Sequence, residues 1–162
     1  MITNRYDEEQ AYPSVPACAK AEFSLVFNGY FLTLVGNKRK SYPAVSGQPI
    51  SKGVFSYSIP RQKLSRVGPI PAGLYWIQPF QMWTNHWYSL APRDSWGDHR
   101  ITIHVMPGTE TYSRGGFFIH GGTHDGSAGC INLHAAMESF VRDLYAITDS
   151  SKPCFIPLSV QY

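Results

Sequence analysis

Charge is scarce in this chain: only 15% of its 162 residues are Asp, Glu, Lys or Arg, and the formal net charge is +3. That balance excludes the dense basic surface that nucleic-acid binding demands, and the one basic cluster, Lys38-Arg39-Lys40, reads as a solvated hairpin tip. A mildly basic surface still favours approach to an anionic polymer. Long apolar runs are missing too. None reaches the roughly 18 residues of a membrane helix, so no integral membrane segment is expected. Met1 to Lys20 is polar and contains prolines without an apolar core, so no secretory signal is visible. We read residues 1–20 as a loose lead-in and 21–162 as one domain, long enough to bury about two-thirds of its unfolded surface. Cysteine is rare: three residues, an odd count. Cys18 and Cys154 lie near the two ends, either as a disulfide that closes a long loop or as two buried thiols; the first option leaves Cys130 free.

What the chain has in quantity is aromatic and turn-forming residues. Ten Tyr, nine Phe and four Trp, with fourteen Gly and twelve Pro, favour a β-rich fold. Residues 23–34 predict two strands about an Asn28-Gly29 turn of type I′. Tyr42 to Gly47 reads as a short edge segment, 47–68 as a long loop, and Gly68-Pro69-Ile70-Pro71-Ala72-Gly73 as a rigid turn into the strand Leu74–Ile77. The aromatics of 79–98 (Phe80, Trp83, Trp87, Tyr88, Trp96) read either as packed loop or as a groove wall. Arg100 to Val105 alternates as a half-buried strand does, and Phe117 to His120 reads as a buried central strand. Leu133, Met137, Phe140, Leu144 and Ile147 make one apolar stripe of a helix with Asn132 as its N-cap. Phe155 to Val160 closes the chain as a last strand.

The chemistry concentrates in Phe117-Phe118-Ile119-His120-Gly121-Gly122 and Ser127-Ala128-Gly129-Cys130-Ile131-Asn132-Leu133. A histidine ending an apolar strand and a cysteine in a small-residue turn are a base and a thiol nucleophile. Glycines beside each clear space for a substrate backbone. The predicted helix after Cys130 would lower the thiol pKa. The N–H groups of Gly129 and Cys130 are candidate oxyanion donors, and a carbonyl near Gly121 or Gly122, or Asp125, is a candidate orienter of His120. Two other readings stand beside this one. His120, His124, Cys130 and His134 are of metal-ligand type, though their spacing fits no common zinc pattern. The pair is otherwise a core histidine and a structural thiol in a non-catalytic β domain.

Ile119-His120-Gly121 followed by Ser127-Ala128-Gly129-Cys130-Ile131-Asn132-Leu133 resembles the active-site motif of L,D-transpeptidases, the YkuD-type catalytic domain. Tyr42 to Gly47, Gly68 to Tyr75 and Arg114 to Gly121 resemble a branch of that family injected into rival bacteria by type VI secretion. The likeness covers about residues 22–160. It implies a mainly β, sandwich-like fold with one main α-helix after the nucleophile, and it implies no cofactor. In the implied site Cys130 attacks, His120 serves as base, the Gly121 carbonyl orients it, and Gly129 with Cys130 forms the oxyanion hole. Arg114 would meet a substrate carboxylate, while Ser127 and Asn132 shape the substrate-binding turn and cap the helix. Two departures stand out: Ala128 occupies a position where many members have histidine, and the His-to-Cys interval is short. The implied substrate is the peptidoglycan tetrapeptide stem, cleaved by L,D-carboxypeptidase action or exchanged with a D-amino acid acceptor. A secretion apparatus, action in a target cell's periplasm and a periplasmic immunity protein are implied with it. The alternatives are a housekeeping transpeptidase forming 3–3 cross-links and a non-catalytic wall-binding module.

Overall fold

The computed structural model describes residues 10–18, 23–84, 99–123, 126–148 and 152–162. Its strands are β1 (Ser24–Phe27), β2 (Phe31–Val35), β3 (Lys40–Pro43), β4 (Val45–Ser46), β5 (Gly73–Ile77), β6 (Trp83–Thr84), β7 (His99–Val105), β8 (Phe118–His120), β9 (Ile131–Asn132) and β10 (Ile156–Val160). Helices are α1 (Ile59–Gln62) and α2 (Met137–Ile147), with 3₁₀ turns at Pro79–Gln81 and His134–Ala136. The mainly β fold with one main helix after Cys130 is as expected.

Nine strands run in the order β3-β2-β1-β10-β5-β7-β8-β9-β4, and β6 adds to β7. The two ends of that path, β3 and β4, are separated in the chain by Ala44 alone, so the sheet curls until its edges are covalent neighbours. Most pairs are antiparallel; β1–β10 and β8–β9 are parallel. Alternate residues face inward, as a sheet's two-residue period requires. Leu25, Phe27, Leu32, Ile77, Ile101, Ile103, Ile119, Ile131, Ile156 and Leu158 fill one core with Phe140 and Leu144 of α2. α2 is fastened to β3 by an edge-on Tyr42–Phe140 ring contact at 5.3 Å and by the Tyr42 hydroxyl donating to Asp143.

Three local expectations shift. The hairpin pairs Phe27 with Leu32, so its two central residues are Gly29 and Tyr30, not Asn28 and Gly29. Only Gly29 has positive φ (+91°), the pattern of a II′ rather than a I′ turn. Asn28 sits at the corner, where its Oδ1 accepts from the N–H groups of Tyr30 and Phe31. The segment 47–68 is not all loop: it carries α1, whose Gln62 is buried with its amide bonded to Tyr57 and Ala72 main chain. Asn132 is not a helix N-cap; it ends β9, its Oδ1 accepts from His134 N–H, and α2 begins only at Met137. The turn at His134–Ala136, with His134 at φ +48°, separates strand from helix.

Cys18 and Cys154 are joined by a disulfide. Around it Cys18 N–H donates to Phe155 and Phe155 N–H to Pro16, while Trp76 Nε1 donates to Ala11. Residues 10–18, read from sequence as part of a loose lead-in, are thus fastened to the sheet. The bridge spans a sequence separation of 136, and restricting so long a loop in the unfolded chain stabilises by about 5 kcal/mol. The double variant Cys18→Ser/Cys154→Ser should melt about 10–20 °C lower by circular dichroism. Adding reductant should lower the wild-type midpoint likewise and leave the variant's unchanged.

Candidate active site

Register across the sheet assembles the site. Arg100 of β7 pairs with His120 of β8, and His120 pairs with Asn132 of β9. Outward from these, Trp83 pairs with Arg100 and Val45 with Asn132. Cross-strand partners share a face, so Trp83, Arg100, His120, Asn132 and Val45 form one transverse row over five strands. Cys130 immediately precedes β9. Ile119 and Ile131 belong to the apolar core, whereas His120, Cys130 and Asn132 are buried outside that cluster. The sequence pair therefore lies at the end of β8 and just before the adjacent β9, outside the apolar core.

Two glycines are needed for this packing. A Cβ on Gly121 would come within 2.8 Å of Met137 Cβ and 3.0 Å of the His134 carbonyl, so only glycine lets the start of α2 close over the end of β8. Gly129 has φ +103°, and a Cβ there would meet Arg114 and the Phe117 ring at 2.8 Å. Ser127 closes the turn: its hydroxyl donates to the Cys130 carbonyl (3.0 Å) and accepts from Gly47 N–H (3.2 Å). His120 Nδ1 lies 2.6 Å from the Gly121 carbonyl. A carbonyl can only accept, so Nδ1 carries the proton and Nε2 keeps its lone pair.

Residues 55–152 match the Tlde1 domain. The chain belongs to the Tlde1 domain family. The L,D-transpeptidase-like effector domain read from the motifs agrees with this membership. No curated protein sequence matches the chain. Among solved structures, it is similar to Bd1075 of Bdellovibrio bacteriovorus, at 13% identity and TM-score 0.50 over 95% of this chain and 51% of that one. L,D-transpeptidase 1 of Mycobacterium tuberculosis is another match, at 16% identity and TM-score 0.43, over 86% of this chain and 62% of that one. The chain thus spans about half the length of the Bdellovibrio protein, and the likeness to it is one of fold.

The electrostatics of this Tlde1 domain run against one expectation. Cys130 does not sit at a helix N-terminus, because six residues, the last three of them the 3₁₀ turn, separate it from α2. Burial instead pushes its thiol up to about 12, only partly opposed by a backbone hydrogen bond with Phe118 and by the Arg100 charge. Burial also lowers the His120 pKa below the usual imidazole value; the Gly121 hydrogen bond opposes this, while His134 and Arg100 add to it. Both groups rest neutral, as thiol and imidazole.

Arg114, the expected carboxylate partner, is engaged by main chain. Its guanidinium donates to the carbonyls of Gln62, Gly68 and Pro69 and lies over the Phe117 ring, beneath the Gly129 turn. It braces the α1 segment against that turn. The cation in the transverse row is Arg100, which was read from sequence only as one polar position of an alternating strand. Its signal was present: in Arg100-Ile101-Thr102-Ile103 the polar residues face away from the core, the side to which His120 also belongs. Trp83 is half-buried beside Arg100, Phe80 is exposed, and Trp87, Tyr88 and Trp96 lie outside the described residues. Of the metal-type residues, His134 Nδ1 is near the Gly122 carbonyl (3.2 Å) and His124 lies outside the described residues, as does Asp125. Among the described residues no three His, Cys, Asp or Glu side chains are placed to hold a metal ion.

Two measurements follow. Gly129→Ala should cost about 3 kcal/mol or more in denaturant unfolding, from positive φ and crowding together, against about 1 kcal/mol for Gly108→Ala, whose Cβ would meet nothing at φ +88°. Equal losses would contradict the crowding at Phe117. Alkylation of Cys130 by iodoacetamide should keep rising with pH, about tenfold per unit from pH 7 to 9.5, since only thiolate reacts and its pKa is raised. A plateau near pH 8 would show an ordinary or lowered thiol.

Proposed function

We propose that this domain is a cysteine acyl-transfer enzyme acting on the tetrapeptide stem of peptidoglycan. The observation that carries the reading is the His120 Nδ1–Gly121 carbonyl hydrogen bond, which commits Nε2 to accepting a proton, on the strand beside the Cys130 turn. Membership of the Tlde1 family supports the substrate class.

A neutral pair dictates the order of events. Sγ of Cys130 attacks the carbonyl carbon at the L-centre of the third stem residue as His120 Nε2 takes the thiol proton. The carbonyl π electrons move onto oxygen, and the Gly129 and Cys130 N–H groups receive the oxyanion. When the C–N bond breaks, His120 returns its proton to the departing amine, and the terminal D-Ala leaves. Water then attacks the thioester with His120 as base, which gives L,D-carboxypeptidase activity; a D-amino acid in place of water gives exchange. Ala128, where many members of the resembled family carry histidine, offers no imidazole at that position. Ser127 and Asn132 hold the turn and the chain beyond it. Loss of tetrapeptides starves a target wall of cross-linking donors, which suits an effector delivered to the periplasm of a rival, with a periplasmic inhibitor protecting the producer.

The test is D-Ala release from purified tetrapeptide muropeptides, followed by mass spectrometry. Wild type should release D-Ala, Cys130→Ala should release none, and His120→Gln should lose about 10²–10⁴-fold. The base works only when neutral, and its pKa is lowered, so the acid-side fall of kcat/KM should have its midpoint below pH 6.5. No D-Ala release by wild type, or full activity in Cys130→Ala, would sink the proposal.

A further inference from the structure

We propose that Arg100 is a specificity-determining residue: it anchors the free carboxylate of the amino acid that leaves, so the site selects peptides that end one residue past the scissile bond. This rests on the acyl-transfer reading above and narrows it.

Arg100 stands next to His120 in the transverse row, one strand over, with Trp83 on its far side. Its Cζ lies 4.6 Å from the Trp83 ring centroid and 5.4 Å from that of Phe118, which precedes His120 by two residues on the same face. Ring contacts of this kind attract and orient a guanidinium. Its N–H donors lie in the guanidinium plane, in the fork that matches a carboxylate. Arg100 acts electrostatically on both Cys130 and His120, so its charge is felt at the reacting atoms. Arg114, the other arginine near the turn, is directed at three main-chain carbonyls below it.

The spacing suits the ligand. Adjacent strands lie about 4.8 Å apart. In a peptide, the C-terminal carboxylate of a leaving residue stands one N–Cα–C step from the scissile carbonyl carbon, about 3–4 Å. With the leaving amine at His120, the next group of the leaving residue is its carboxylate, and the next side chain along the row is Arg100. A site so arranged acts from the end of the chain, and an internal peptide bond places an uncharged amide there.

Two experiments on the intact protein separate this inference from the reading beneath it. The first compares alkylation of Cys130 by iodoacetate, an anion, with alkylation by neutral iodoacetamide. Thiolate abundance cancels in the ratio of the two rates. Arg100→Gln should lower the iodoacetate-to-iodoacetamide ratio roughly fivefold, and Arg100→Lys should keep most of it; an unchanged ratio in Arg100→Gln overturns the proposal whatever the enzyme acts on. The second compares a tetrapeptide with its C-terminal amide. Wild type should favour the acid at least about tenfold in kcat/KM, and Arg100→Gln should lose that preference mainly through KM. Arg100→Lys, which keeps charge without the fork, should fall between and guards against a folding defect. Preference intact in Arg100→Gln overturns the proposal. Wild type inactive on both peptides sinks the acyl-transfer reading and the leaving-group assignment with it, while the alkylation ratio still reports whether Arg100 draws anions to the thiol.

Discussion

The parallel pairing of β8 with β9 is the constraint from which the site follows. Parallel neighbours need a crossover, and here ten residues, Gly121 to Cys130, make it, with no helix among those described. So short a return needs glycine where a side chain would collide. It also brings the cysteine back beside the strand that ends in the histidine. Gly129 at positive φ, Gly121 under the start of α2 and Ser127 tied to both Cys130 and Gly47 all serve this one return. The glycines that made the motif conspicuous are thus packing requirements as well as room for substrate.

How much of this was legible depended on the range of the interaction. The strands around Phe27, Tyr75, Ile103 and Ile119 announced themselves by alternation and β-branched or aromatic content, and the α2 stripe by its period. The hairpin was legible too, but which two residues occupy its centre is settled by pairing between whole strands, so the turn moved by one. The four residues of α1 gave little pattern, because a buried glutamine held by main-chain partners decides their place. Arg114 drew attention through the family resemblance of the segment that leads into His120, whereas Arg100 reaches the row through antiparallel pairing twenty residues away. Register, which fixes the face and neighbours of a side chain, is not a local property.

The thiol shows the same competition in energetic form. A helix dipole stabilises a nearby thiolate by a fraction of a kcal/mol to about 2 kcal/mol and fades within a turn. Desolvation of a fully enclosed anion is larger. Once α2 starts at Met137 rather than at the cysteine, burial prevails, and Cys130 and His120 rest as an uncharged pair.

That resting state bears on how three sulfurs come to make one bond. Thiol–disulfide exchange proceeds through thiolates. With its pKa pushed up to about 12 by burial, Cys130 offers very little thiolate at neutral pH. In an oxidising compartment the folded chain therefore keeps the Cys130 thiol out of mixed disulfides and sulfenic acid formation, while Cys18 and Cys154 remain joined. The same desolvation that makes this thiol slow to ionise preserves it in reduced form.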